Sequence, residues 1–341
     1  MPRSPEPEGR AIGGVFPAIT PGEPVSDSLW QHWTEGAAQV LTFANARSAF
    51  AHVIDSLAPR RVWLPVWLCA DMAEAVHAPM LYGLDETLTP DIQALEKALQ
   101  PGDLLLGVNY FGRPNAALRQ LAAARPDVTF VQDMAQATDT VAPPWGQFQI
   151  YSPRKLLGVA DGGILIDLEG PLPLPGQRPA ATAALRRAGL MRARDPQDLN
   201  NAAWFAAFQS AEACMTVTDH AMSHRTRQIL QSTPVTVLTA PRRANYARLH
   251  AHLPDLAFWP DPSPDWTPLG FPIRVPDAKA LGAALAKQRI FAPRHWLHLV
   301  TDTPPEPERT LQRQLLTLPC DQRYGPEDMD RIARAVRAAL A

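Results

Sequence analysis

Cysteine is scarce in this chain of 341 residues. Cys69, Cys214 and Cys320 are odd in number, lie far apart and never fall in a C-x-x-C spacing. That argues against a disulfide framework and against a zinc or other metal site, and it predicts a reducing compartment. Long apolar runs are missing too: none approaches the ~20 residues of a membrane span. The opening MPRSPEPEGR lacks the apolar core of a signal peptide. The expectation is a soluble, cytoplasmic protein. Nor does one sign of charge dominate. A net charge of −2 gives no electrostatic reason to expect nucleic acid or a membrane surface as partner. The basic stretch LRRAGLMRAR (185–194) reads as a solvated helix face.

Proline, by contrast, is plentiful at 36 residues, about twice the usual share. It gathers in residues 2–24, 171–179, 254–276 and 304–308, which therefore read as arms, loops and linkers. With 46% hydrophobic residues the chain has the composition of an ordinary globular protein, long enough for two domains. The pattern predicts a lead-in arm over 1–29, a large domain over 30–235 and a smaller α+β domain over 236–341. In the large domain, helical patterns over 46–57, 70–77, 89–99 and 115–124 alternate with apolar runs at 61–66, 104–108 and 128–131. Continuous apolar strands between helices indicate an α/β fold with a mainly parallel central sheet covered on both faces. Ligands of such sheets lie at the carboxyl ends of the strands. In the smaller domain, the reading is a helix over 242–253, a strand over 270–275, a helix over 278–288, a helix ending near Leu316 and a last helix over 326–340.

The stretch VTFVQDMAQATDTVAPPWGQFQIYSPRKLLGVADGG (128–163) carries the chemistry. Asp133 leaves one apolar run, and Lys155 follows a second, FQIYS, ahead of Gly162-Gly163. An acid and a lysine at neighbouring strand ends are what pyridoxal 5′-phosphate (PLP) requires. The lysine holds the aldehyde as a Schiff base, and the acid keeps the ring nitrogen protonated. Each has a plainer reading, a solvated lysine and a strand-end aspartate starting a turn. Gln136 is open between a partner of the cofactor's phenolic oxygen and an exposed polar residue. Ala46-Arg47-Ser48 opens a helix whose free N–H groups suit a phosphate, although Ser48 would equally serve as an N-cap. Ser152 is a second phosphate candidate. Trp67 and Cys69 follow a strand where a side chain can pack on the ring face, Trp67 being the better stacker or else core. Asn109 and Tyr110 sit at another strand end. Arg154 is a candidate for a substrate carboxylate or phosphate. From the smaller domain, Arg294 and His295 either reach the site mouth, where an arginine can fork onto a donor carboxylate, or form a helix-end cluster.

Taken in order, NARSAFAHVIDSL, VWLPVWLCADMAEAV, LLLGVNYFGRP, VTFVQDMAQAT, FQIYSPRKLLGVADGGIL and LTLPCDQRYGPEDMDRIARAV resemble the DegT/DnrJ/StrS family of fold-type I PLP enzymes, the sugar aminotransferase-like group. The resemblance implies a homodimer with the active site at the subunit boundary. It implies that Lys155 bears the cofactor, Asp133 pairs with the ring nitrogen, Gln136 lies beside the ring, and Arg47, Ser48 and Ser152 contact the phosphate. The chain has DGG where the family usually has EGG, Asn109 where a histidine is frequent, and a shorter interval from Ser152 to Lys155. Family dehydratases replace the lysine with histidine, so Lys155 points to transamination. The leading expectation is an aminotransferase with an amino-acid donor, plausibly glutamate, and a carbonyl acceptor such as a keto-sugar. Two alternatives stay open: another PLP reaction (lyase, racemase or replacement), and a non-catalytic ligand-binding or regulatory protein.

Overall fold

The computed structural model describes residues 9–139, 144–176, 178–195, 198–262 and 264–341. In chain order the strands are β1 (Ile12–Gly13), β2 (Gln39–Phe43), β3 (Val62–Pro65), β4 (Met80–Tyr82), β5 (Leu104–Val108), β6 (Thr129–Asp133), β7 (Phe148–Tyr151), β8 (Gly163–Asp167), β9 (Phe271–Arg274), β10 (Ile290–Phe291) and β11 (Leu315–Leu318). Seven of them form one sheet in the order β2-β8-β7-β6-β5-β3-β4. β3, β4, β5, β6 and β7 are parallel where they pair. β8 alone runs against its neighbours, antiparallel to both β2 and β7.

The apolar run LLLGV explains why β5 is central. Leu104, Leu105 and Leu106 are fully buried, and each such side chain contributes about 1.5–3 kcal/mol on leaving water. Both faces of the sheet are covered, as the strand alternation shows. Leu165 joins one apolar cluster with Phe50, Leu64 and Phe130, while its neighbours Ile164 and Ile166 join the other with Trp33, Ile229 and Leu238. A third cluster, containing Tyr246, Phe271, Ile273, Leu316 and Val336, builds the C-terminal unit around the antiparallel β9–β11 pair.

Several elements depart from the sequence reading. The helix expected over 70–77 is only Ala70–Ala73. The helix expected from 242 begins earlier, at Val235, and continues to His252 through Pro241. One proline removes one intrahelical bond and costs roughly 3 kcal/mol. Burial of Leu238, Arg242, Tyr246 and Leu249 along the same helix outweighs it. The helix expected to end near Leu316 ends at Gln314, and residues 315–318 form β11. Its period is that of a fully buried strand, which has no alternation to betray it. The lead-in is not wholly irregular either. Ile12 is fully buried in the C-terminal cluster, and β1 pairs in parallel with β10.

Candidate active site

Strands β5, β6 and β7 all end at one rim of the sheet, and their exits carry the polar groups. Asp133 is the last residue of β6, and its backbone carbonyl accepts from the Asn109 N–H beyond β5 at 3.1 Å. Burial pushes the Asp133 carboxyl above its ordinary range, while the charge of Lys155 and the Ala135 N–H pull it back. That N–H donates to Asp133 Oδ1 at 2.8 Å. No hydrogen bond engages Oδ2 among the described residues.

Lys155 ends a short 3-10 turn, Pro153–Lys155, that follows β7. Its N–H donates to the Ser152 carbonyl at 3.1 Å. The ammonium has no hydrogen-bond or ion-pair partner among the described residues, yet it acts electrostatically on Asp133, Cys69 and His295. The chain's other lysines, Lys97, Lys279 and Lys287, are exposed, whereas Lys155 is half-buried. Gly158 allows the lysine loop to press on the lead-in, since a Cβ there would collide with the Pro17 carbonyl.

Gln136 is buried, and its Oε1 accepts from the Phe111 N–H at 2.6 Å. Its Nε2 is buried without a partner. A buried amide that lacks an acceptor costs on the order of 1–3 kcal/mol, so such a group is a place to expect a ligand. Phe111 takes a left-handed backbone, φ 55°, to present that N–H.

Aromatic groups close the rim. Trp67 is fully buried and meets Trp296 edge-on at 6.1 Å. The Tyr110 hydroxyl donates to the Trp67 carbonyl at 2.6 Å. Tyr110 and Trp67 are thus joined to each other in the wall. Cys69 is half-buried, its thiol pushed up by burial. Asn109 is fully buried and points its Nδ2 at Met134 Sδ, 3.0 Å away. From the C-terminal unit, His295 shares a hydrogen bond between Nδ1 and Thr317 Oγ1 at 2.9 Å and stands edge-on to Phe111 at 5.5 Å. Burial, with Lys155 nearby, pushes His295 down to about 3, so it is neutral at working pH. Arg294 is half-buried and has no side-chain hydrogen bond or ion pair among the described residues. Cys69 pairs with Leu299, which places that loop beside the β3 exit.

The head of the Ala46–Leu57 helix lies at the same rim, against β8. Gly163 makes this possible, because a Cβ there would strike the Asn45 carbonyl. The N-cap is Asn45, not Ser48: Asn45 Oδ1 accepts from the Ser48 N–H at 2.9 Å and the Ser48 hydroxyl at 3.0 Å. That hydroxyl also accepts from the Thr218 N–H at 3.0 Å. Arg47 is held by Glu74 at 2.6 Å, Asp71 at 2.9 Å and the Met215 carbonyl at 2.7 Å. Ser152 is buried, and its hydroxyl makes no hydrogen bond among the described residues. Arg154 is held in an ion pair with Glu212, and burial pushes its guanidinium down to about 10. Asp161 of the DGG turn accepts from the N–H and hydroxyl of Ser223, the N-cap of the His224–Ser232 helix.

Sequence reasoning missed Asn45 as the cap, Thr218 and Thr317. Only Asn45 had a local signal, its position before the helical pattern. The others arrive from distant parts of the chain or through backbone geometry.

No protein-family model and no curated protein matches this chain. Solved structures do. S. venezuelae DesV, solved in complex with a ketimine intermediate, superposes with a TM-score of 0.66 at 19% identity, over 97% of this chain and 91% of that one. A DegT DnrJ EryC1 StrS aminotransferase from Brucella abortus gives 0.62 at 16% identity, over 91% and 87%. The chain has the fold of these aminotransferases. Helicobacter pylori PseC, an aminotransferase involved in the biosynthesis of pseudoaminic acid, gives 0.64 at 15% identity, over 97% and 99%. This bears out the α/β fold with a mainly parallel central sheet that the strand pattern predicts and the fold-type I architecture that the resemblance implies, and the likeness runs almost end to end.

Proposed function

We propose that the chain is a PLP-dependent aminotransferase that moves an amino group from an amino-acid donor to a carbonyl acceptor of the keto-sugar class. One observation carries the reading. Lys155, Asp133 and Gln136 lie at a single sheet rim, and each keeps a polar atom without a partner among the described residues. The donor set fits the cofactor: an amine for its aldehyde, a carboxylate for its ring nitrogen and an amide for its phenolic oxygen. The likeness to a putative sugar aminotransferase from Streptococcus pneumoniae, at a TM-score of 0.65 and 14% identity over 96% of this chain and 97% of that one, supports the acceptor class.

When bound, PLP supplies an aldehyde that exchanges amines and a ring that withdraws electrons from the substrate Cα. The protein's own groups do the rest. Asp133 Oδ2, at the end of its strand, would hold the proton at the ring nitrogen. The Lys155 amine would hold the aldehyde, and as a free amine it would move a proton at the substrate Cα. Trp67, Tyr110 and Trp296 wall the rim and exclude water. Ser152 and the first amides of the Ala46–Leu57 helix receive the phosphate. Arg47 and Ser48 join them only by releasing present partners. Neutral His295 offers Nε2 to a substrate hydroxyl, and Arg294 offers a fork to a carboxylate. A homodimer belongs to the same reading. Leu199, Phe205 and Val217 are exposed and apolar, as a face covered by a second copy would be.

Borohydride reduction of the PLP-treated protein, followed by peptide mapping, tests the assignment. The adduct is expected on Lys155. An adduct that persists at another lysine in Lys155→Ala would overturn it. A donor and acceptor panel read by absorbance separates the reactions: a transaminase accumulates the amine form with donor alone and returns with acceptor, whereas a lyase or racemase does not.

A further inference from the structure

The Lys155 turn and the Gln136 side of the site belong to different strands, yet one buried guanidinium reaches both. Arg242 lies inside the Val235–His252 helix and is almost completely buried. Its Nε donates to Gln322 Oε1 at 2.9 Å, and Gln322 Nε2 donates to the Leu156 carbonyl at 2.7 Å. Leu156 is the residue after Lys155. The Arg242 Nη1 donates to the Leu269 carbonyl at 2.9 Å. The Leu269 N–H then donates to the Phe111 carbonyl at 2.9 Å, and the Phe111 N–H donates to Gln136 Oε1.

We infer that Arg242 and Gln322 are positioning residues for the proposed reaction: Gln322 is a strut that fixes the Lys155 turn, and Arg242 locks that strut to the Phe111–Gln136 side. The inference deepens the proposed aminotransferase reading and rests on it for its catalytic part. The physical case is one of economy of donors. A buried arginine is costly unless its N–H groups find acceptors. Here Nε and Nη1 find an amide and the Pro268 and Leu269 carbonyls, Nη2 is buried without an acceptor, and among the described residues no carboxylate is in hydrogen-bond contact, although the charge of Asp321 acts on the guanidinium. Such contacts set geometry rather than neutralise charge. The turn itself is short, held by the Lys155, Leu156 and Leu157 N–H groups donating to the Ser152 and Pro153 carbonyls. Without Gln322 the Leu156 carbonyl loses its side-chain donor. A displacement of even 1 Å at a reacting group can cost about 100-fold in rate.

Two variants of the full-length chain test this. Gln322→Glu keeps an acceptor for Arg242 and removes the donor to Leu156; Gln322→Leu removes both. Gln322 is half-buried in a loop, so the glutamate variant retains a hydrated, foldable site. Hydrogen exchange of the amides at 155–157, measured without PLP, is expected to speed by about tenfold in both variants. With PLP bound, the midpoint of the pH titration of the Lys155-linked chromophore should move, and kcat should fall by about tenfold with donor KM nearly unchanged. A glutamate variant with wild-type exchange at 155–157 overturns the strut. Faster exchange with an unmoved titration and kcat overturns the positioning role. If wild-type protein forms no reducible adduct with PLP, the functional reading fails instead, and exchange alone still decides whether the strut exists.

Discussion

The two ends of the candidate site are built on opposite principles. At the β5–β6–β7 rim, Asp133 Oδ2, Gln136 Nε2 and the Lys155 ammonium have no hydrogen-bond or ion-pair partner among the described residues. At the head of the Ala46–Leu57 helix, the Ser48 hydroxyl and the Arg47 guanidinium are both engaged by protein groups. Unpartnered buried groups are expensive and persist where a ligand completes them. Engaged groups instead stabilise the protein and define its shape. The contrast favours chemistry at the first end and scaffolding at the second, and under the proposed function phosphate recognition there would fall to backbone amides and Ser152.

The largest expected effect is at the open end. Lys155→Ala should lower kcat by about 10⁴-fold, the upper range for a lost proton-transfer group, with thermal stability close to wild type. Steady-state assay beside calorimetry checks it; near-normal turnover would erase the distinction between the ends. Asp133→Asn keeps an acceptor for the Ala135 N–H but cannot hold a proton at a ring nitrogen as a carboxylate does. A loss of about 10²-fold or more in kcat is expected, with PLP affinity reduced far less.

At the scaffolding end the sign reverses, and stability carries the effect. Gly163→Ala sets a methyl group against the Asn45 carbonyl and pushes the helix head off β8. A loss of about 1–3 kcal/mol is expected, as for other overpacked contacts, measured by urea unfolding. An unchanged midpoint would show that β8 and the helix are not tightly joined.

How legible each end was in the sequence follows from the same contrast. Asp133 ends one apolar strand and Lys155 closes the turn after another, and the pattern that predicts a strand also predicts its exit. Gln136 was placed by its distance from Asp133. The engaged state of Arg47 was invisible, because Asp71, Glu74 and Met215 approach from separate segments. Ser48 was ambiguous because a serine in a first helical turn suits a cap and a phosphate equally. Asn45 decides it through a bond that only the backbone angles reveal. β11 was hidden by full burial, and Gln322 by 167 residues of separation from Lys155 along the chain.

His295 gives a pH test of the open end. Its imidazole is pushed below its ordinary 6.5 to about 3, so the unfolded chain binds more protons between those values. Its contribution to stability is full above pH 6.5 and is lost as the pH falls towards 3. His295→Gln should therefore flatten the decline in stability between pH 6.5 and 4.5, by about 1–2 kcal/mol once solvent screening of a half-buried ring is allowed for. Urea midpoints of both proteins across that range check this. Parallel curves would mean that His295 becomes charged in the folded protein and is not the neutral hydrogen-bonding group assigned here.

The smallest effect is the sharpest discriminator. Ser48→Ala removes a hydroxyl that donates to Asn45 and accepts from Thr218. If the hydroxyl is scaffolding, stability should fall by about 1 kcal/mol, the usual net worth of one hydrogen bond, while the PLP dissociation constant changes less than about threefold, or under 0.7 kcal/mol. A phosphate ligand would give the opposite pattern, with affinity falling tenfold or more and stability of the PLP-free protein hardly moved. Comparing PLP titrations with unfolding of the cofactor-free chain separates the two, because only the second measurement is blind to phosphate. A tenfold affinity loss would show that Ser48 exchanges Thr218 for the phosphate, and the helix head would then belong with the open end rather than against it.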